Sequence, residues 1–212
     1  HKLDMESTFF LQQNYEAVEE GSFHNDIVSL SNENVFIAHE KAFQNKDDLN
    51  EMLNILRSKI DNFQYIEISD SEIPLKDIIN SYLLNSQLIT NSDNEMQLIL
   101  PEEVKGYENC MSWLDKLKQI SDVKLFDFVN IRQSMMNGGG PACLRLKVIL
   151  NDEELNSINQ NFLMNNARLE SIKLLIEREY RDVLYPDDLK DPNLLDESRR
   201  VLDELTHCLL YT

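Results

Sequence analysis

The sequence predicts an α/β fold followed by a helical C-terminal segment, and three observations support this. Short β-branched runs alternate with amphipathic helical stretches up to about residue 150, and the apolar spacing is helical beyond that point. No low-complexity linker separates the two parts. With 212 residues, 42% of them hydrophobic, the chain is long enough to bury one core. We therefore expect residues 1–212 to form a single domain.

The predicted strands share β-branched and aromatic residues in short runs: residues 34–38, 65–68, 96–100, 123–126 and 143–150. The last run alternates between apolar and polar residues, which predicts one buried and one solvated face. Helical spacing covers residues 46–61, 75–84 and 102–119, with Pro74 and Pro101 where a first helical turn tolerates proline. In the C-terminal segment we expect a helix start at residues 151–154 and helices over residues 166–184 and 196–210, with Pro192 as a break between those two.

Composition excludes several classes of function. The net charge is −18, so the surface lacks the clustered Lys and Arg that nucleic acid or an anionic membrane requires. No apolar run approaches the roughly 20 residues that span a bilayer, and the first residues lack the apolar core of a signal peptide. The three cysteines, at 110, 143 and 208, lie far apart and show no zinc-site spacing. We expect a cytoplasmic protein without a metal or cofactor.

The most unusual segment is the glycine run Gly138-Gly139-Gly140, which ends in Pro141-Ala142-Cys143. Adjacent glycines permit positive φ and let backbone approach a ligand closely, whereas Pro141 stiffens the exit from the loop. Such a loop can present the Cys143 thiol at the rim of a cleft. The alternative is a turn followed by an inert buried cysteine.

A second candidate segment contains His24 and Asp26, which stand two residues apart between a turn and an apolar run. On an extended strand both side chains would point the same way, so an imidazole and a carboxylate could face one cationic ligand. The alternative is a surface turn with a capping aspartate.

Residues 133–146 resemble the signature of the N-succinylarginine dihydrolases, members of a guanidine-modifying superfamily that includes arginine deiminases and amidinotransferases. Further blocks are similar to the family in the same order, at residues 23–26, 34–40, 81–88, 100–103, 180–182 and 202–206.

The resemblance implies a pentein fold, an α/β propeller of five ββαβ modules, of which this chain would supply the later ones. It implies hydrolysis of N-succinylarginine to N-succinylornithine, two ammonia and carbon dioxide in arginine catabolism. Cys143 would be the nucleophile and His24 the general acid/base, with Asp26 and Asn137 as substrate contacts. A homodimer without a cofactor is also implied.

Residues 128–130 look like extra length relative to the family, and the family's catalytic glutamate would lie upstream of His1. We therefore expect the chain to be an incomplete fragment that is inactive alone. The alternatives are a deiminase-like or amidinotransferase activity on another guanidine, and a non-catalytic interaction module.

Overall fold

The computed structural model describes residue 5 and residues 8–136, 139–144 and 150–210. It divides into two compact units, residues 1–146 and residues 147–212. The first unit contains strands and helices, so the predicted α/β class is confirmed. The single domain expected for residues 1–212 stays a prediction.

The first unit contains two successive ββαβ modules. After the short helix α1 (Tyr15–Glu19), the first module consists of β1 (Ser29–Asn32), β2 (Val35–His39), α2 (Lys46–Lys59) and β3 (Gln64–Ile68). Strand β1 pairs antiparallel with β2, and β2 pairs parallel with β3 through the α2 crossover. Helix α3 (Leu75–Ser81) then leads to the second module.

The second module repeats the same order and pairing. It consists of β4 (Gln87–Thr90), β5 (Met96–Pro101), α4 (Glu108–Ile120) and β6 (Val123–Val129), and is followed by α5 (Arg132–Met136). Strand β4 is antiparallel to β5, which is parallel to β6. The two modules adjoin near their first strands, where Asn32 Nδ2 donates to Thr90 Oγ1 at 2.9 Å.

Local sequence explains where these elements begin and how they pack. Asn45 caps α2 by accepting a hydrogen bond from Asp47 N at 2.9 Å, and Leu49 and Leu53 on its inner face are buried. In β5 the side chains of alternate residues are buried, as the period of two in a strand requires. Both sheets contribute to one core, which includes Ile37, Ile68, Leu88, Leu98 and Trp113.

One predicted strand is corrected by the structure. Residues 142–144 form a 3₁₀ turn instead of the start of a strand, because Cys143 N donates to Gly140 O at 3.1 Å and closes the chain on itself. The rest of that predicted strand, residues 145–149, lies outside the described residues. Residues 102–106 are also 3₁₀, so the helix predicted from residue 102 begins only at Glu108.

The second unit is helical, as predicted, with α6 (Asp152–Ser157), α7 (Asn166–Glu179) and α8 (Pro192–Leu210). A capping box between Asn151 and Glu154 begins α6. Pro192 is the first residue of α8 and not a break before it. Within the described residues, none of the helices has the length and apolar character needed to cross a membrane.

Candidate active site

Cys143 lies on the exposed side of the 3₁₀ turn Ala142–Leu144. The three residues before it, Gly140, Pro141 and Ala142, are buried. The loop is therefore anchored by its backbone while the cysteine remains open to solvent. Cys143 is exposed, so the alternative of a buried cysteine is wrong, whereas its position at the rim of a cleft stays a prediction.

The cysteine loop is held by the segment that joins α3 to β4. Ala142 N donates to Asn85 O at 3.0 Å, and Gln87 Nε2 donates to Pro141 O at 2.6 Å. Both backbone groups lie in the buried part of the loop, where an unpaired polar group would be costly. These two bonds fix the turn that carries Cys143.

Gly140 is required at its position for space. A Cβ placed there would lie 1.9 Å from Asn85 Oδ1 and 2.5 Å from Tyr82 Cδ1, far inside van der Waals contact. Its φ does not lie in the positive region, so close approach rather than backbone conformation excludes a side chain. The neighbour that approaches closely is Asn85.

Asn85 is fully buried and joins the cysteine loop to the segment that contains Asp26. Its Oδ1 accepts a hydrogen bond from Cys143 Sγ at 3.8 Å, and its Nδ2 donates to Asp26 O at 3.4 Å. Two of the predicted site residues, Cys143 and Asp26, are therefore in contact with the same side chain.

The Asp26 carboxylate has a buried oxygen available for a ligand. Its Oδ1 has no hydrogen-bond partner among the described residues, although a buried polar atom normally has one. A cationic N–H donor that entered the site could supply the missing bond, and charge-assisted bonds of this kind are strong.

His24 is exposed and precedes the 3₁₀ turn Asn25–Ile27. Ile27 N donates to His24 O at 3.1 Å and Val28 N to Asn25 O at 3.0 Å, so this segment is curled and is not the extended strand on which both side chains would point the same way. His24 and Asp26 therefore do not point the same way by strand alternation. Among residues 8–136 and 139–144, no hydrogen bond or ion pair joins the His24 imidazole to Cys143.

Asn137, the fourth predicted site residue, lies outside the described residues. Sequence reasoning about individual residues did not single out Asn85, which holds Cys143 and Asp26 together. A signal was available, because Asn85-Ser86-Gln87 is a polar run between the apolar pair Leu83-Leu84 and Leu88. Asn85 and Ser86 are fully buried, as are the two leucines before them and Leu88 after Gln87.

Two other chemically interesting residues have structural roles. Cys110 is buried in the core, where desolvation raises the pKa of its thiol to about 11. His39 is buried at the end of β2, and its ring bonds to Ile73 O and to Lys41 N. Within the part of the chain that the structure describes, no group of three or more His, Cys, Asp or Glu residues is placed to hold a metal ion.

The fold and the site together define an α/β protein of ββαβ modules with a solvent-exposed cysteine, which a buried asparagine links to the backbone of Asp26. Residues 1–212 match the family described as succinylarginine dihydrolase (AstB), and the chain belongs to this family.

Three curated relatives, each named N-succinylarginine dihydrolase, are similar to 99% of this chain. The protein of Idiomarina loihiensis is 41% identical over 212 residues, that of Acinetobacter baylyi 44% over 217, and that of Burkholderia ambifaria (strain MC40-6) 42% over 214. In each case the match covers 47% of the relative. The chain thus spans about half the length of the curated relatives it matches.

Proposed function

We propose that the protein containing this chain hydrolyses N-succinylarginine to N-succinylornithine, two ammonia and carbon dioxide, with Cys143 as the nucleophile. The observation that carries the proposal is the exposed Cys143 thiol, held by Asn85, whose amide also contacts the segment of Asp26. The family name of the relatives supports the substrate.

The chemistry begins at the guanidinium carbon, which resonance makes a poor electrophile. Asp26 binds the guanidinium N–H groups through Oδ1, which has no hydrogen-bond partner within the described part of the chain. The Cys143 sulfur attacks the carbon in its thiolate form. His24 protonates the departing ammonia, which leaves a covalent thiouronium on the sulfur.

Water then attacks the thiouronium carbon while His24 accepts its proton, and the C–S bond breaks to release a ureido product. A second attack by Cys143 on that ureido carbon expels another ammonia. Hydrolysis of the resulting thiocarbamate gives carbon dioxide and N-succinylornithine. Covalent catalysis thus divides one difficult hydrolysis into steps with lower barriers.

The proposal includes the remaining expectations for this family. The two ββαβ modules support a pentein propeller, to which a longer chain would add modules. Asn137 is assigned to substrate binding on the resemblance alone. A homodimer, a cytoplasmic location and a small-molecule substrate without a cofactor are proposed on the same ground.

The test compares this chain with one extended to the length of its relatives. The extended protein should release two ammonia per N-succinylarginine, and the 212-residue chain should release none, because the proposed catalytic glutamate lies upstream. One ammonia and an accumulated ureido product would instead identify a deiminase. If the extended protein released no ammonia from N-succinylarginine, the proposed function would be wrong.

Replacement of the nucleophile provides the matched comparison in the extended protein. Cys143→Ser should lower kcat on the order of 10³-fold or more, since the hydroxyl is a far weaker nucleophile at neutral pH. The control variant Cys208→Ser changes the same atoms in α8 and should keep full activity. If Cys143→Ser and Cys208→Ser were equally active, Cys143 would not be the nucleophile.

A further inference from the structure

Asn85 makes three hydrogen bonds, two of them to the turn that carries the cysteine. Its backbone carbonyl accepts from Ala142 N at 3.0 Å, its Oδ1 accepts from Cys143 Sγ at 3.8 Å, and its Nδ2 donates to Asp26 O at 3.4 Å. The residue is fully buried, so water does not compete for these groups.

The orientation of the Asn85 amide follows from what its neighbours can do. A backbone carbonyl such as Asp26 O can only accept, so the group that faces it must be the Nδ2 donor. The Oδ1 acceptor is thereby turned toward the sulfur, and the Cys143 thiol must supply the hydrogen. Asn85 is a partner for the protonated thiol and not for the thiolate.

Gly140 packs closely against the same amide. The position where its Cβ would be lies 1.9 Å from Asn85 Oδ1 and 2.9 Å from Asn85 Cγ, so the amide packs directly on the glycine. Any side chain at Gly140 would push Oδ1 away from its present place beside the sulfur.

We propose that Asn85 is the positioning residue of the nucleophile, which fixes the turn through its backbone and holds the Cys143 thiol through its amide oxygen. The inference rests on the proposed function in taking Cys143 as the nucleophile. Asn85 acts on the reaction through its contact with the cysteine.

The consequence is measurable in the chemistry of the thiol. A hydrogen bond to the neutral form of an acid disfavours its ionised form, so removal of Oδ1 makes thiolate formation easier. The rate of thiol alkylation follows the thiolate fraction and therefore reports this change. A structural anchor that only holds the loop would leave the pH profile of that rate unmoved.

The first experiment measures iodoacetamide modification of Cys143 against pH in the 212-residue chain, by mass spectrometry of the peptide that contains it. In Asn85→Ala the midpoint of the profile should move down by about half a pH unit, the size expected for one modest hydrogen bond. Gln87→Ala is the matched control, because Gln87 holds the same loop at Pro141 O without an assigned bond to the sulfur. Its midpoint should equal that of the parent chain.

A second pair of variants decides the matter if Asn85→Ala does not fold. Gly140→Ala displaces Asn85 Oδ1 and should shift the midpoint in the same direction. Gly106→Ala adds the same methyl where, apart from the adjoining backbone, no atom of the described residues lies within 4 Å. An unchanged midpoint in Asn85→Ala, or an equal shift in Gln87→Ala, would overturn the proposal. An unchanged midpoint in Gly140→Ala would do the same.

The two proposals fail separately. If the extended protein shows no turnover while the alkylation midpoints move as expected, the function is wrong and the role of Asn85 stands. If turnover occurs but the alkylation midpoint of Asn85→Ala equals that of the parent chain, only the positioning role of Asn85 is wrong.

Discussion

The two cysteines of the first unit lie in opposite surroundings. Cys143 is exposed on its turn, whereas Cys110 is buried in α4 and donates to Ser81 Oγ at 3.7 Å. Burial raises the pKa of Cys110 to about 11, so this thiol is both protonated at neutral pH and shielded from reagents. Alkylation of the folded chain can therefore report on Cys143 without interference from Cys110.

His39 shows how a conspicuous histidine can be wholly structural. Its Nδ1 accepts from Lys41 N at 3.2 Å, so its hydrogen lies on Nε2, which faces Ile73 O at 3.1 Å. Burial lowers the pKa of His39 below its ordinary value, although the Ile73 carbonyl and the nearby Asp70 and Glu40 carboxylates act in the opposite direction. The folded state thus favours the neutral ring.

This gives a prediction about the pH dependence of stability. Below the unfolded pKa of 6.5 the unfolded chain binds a proton that the folded chain resists, so the free energy of unfolding falls as pH drops from that value toward the lower folded pKa. His39→Gln should make this slope shallower by at most about 1.4 kcal/mol per pH unit, the value for one proton. Urea titrations at several pH values between 7.5 and 5 give the free energy of unfolding and so measure this slope.

The control for His39 is Asn54→Gln at an exposed position of α2. It changes no titratable group, so the slope should equal that of the parent chain. A steeper acid slope in His39→Gln than in the parent chain would contradict the assignment.

At the scale of elements, the spacing of apolar residues predicted those strands and helices that bury one face of their own sequence. The four long strands and helices α2 and α4 were predicted because their apolar residues repeat at two or 3.6 positions. Strands β1 and β4 were missed. Each has four residues, several of them polar, and each exists because it pairs with the longer strand that follows it.

The sequence pattern drew attention to Cys143 and Asp26, which the structure links through Asn85, but it did not predict the geometry of this cluster. The glycine run before Cys143 indicated a close approach, yet the group that approaches is Asn85, which is distant in sequence. Likewise the turn at Asn25–Ile27 is set by its backbone hydrogen bonds, so the strand alternation considered for His24 and Asp26 does not apply. Contacts between distant segments carry no signal in a local pattern.

Helix α2 offers a test of local stabilisation. Asn45 Oδ1 satisfies Asp47 N, and the helix packs Leu49 and Leu53 into the core, so Asn45→Ala should lower the free energy of unfolding by about 1 kcal/mol. Asn45→Asp keeps a hydrogen-bond acceptor at the cap and should retain most of that free energy of unfolding. Thermal and urea unfolding provide the measurement.

The matched control is Asn54→Ala, at an exposed position within the same helix. Alanine is the better helix former there, so this variant should be neutral or slightly stabilising. If Asn45→Ala and Asn54→Ala changed stability alike, the cap would have no special role.

At the scale of the whole molecule, the two ββαβ modules are connected by polar bonds as well as by their common core. Gln64 Nε2 donates to Asp122 Oδ2 at 2.8 Å, and Asn34 Nδ2 donates to the same oxygen at 3.1 Å. Asp122 N in turn donates to Gln64 Oε1 at 3.1 Å. Because both sheets bury side chains in one core, we expect the modules of the first unit to unfold together.

The net charge of the chain opposes folding, whereas the common core and the polar bonds between the modules favour it. There are 38 Asp and Glu residues against 20 Lys and Arg, which leaves a net charge of −18. Exposed ion pairs such as Lys46 with Glu67 and Lys190 with Asp187 offset this only slightly, because solvent screens them. Repulsion among the excess carboxylates therefore destabilises the compact state.

Salt should consequently stabilise the chain, although it weakens individual ion pairs. From about 0.01 to 0.15 M NaCl the Debye length falls from about 30 to about 8 Å, which removes most long-range repulsion and little of the attraction within a contact pair. We expect Tm to rise by about 2–4 °C, equivalent to about 1 kcal/mol for a chain of this size. Sucrose at equal osmolarity is the control, since it leaves charges unscreened. A Tm that falls with NaCl would mean that the ion pairs, and not the excess of carboxylates, dominate the electrostatic free energy of folding.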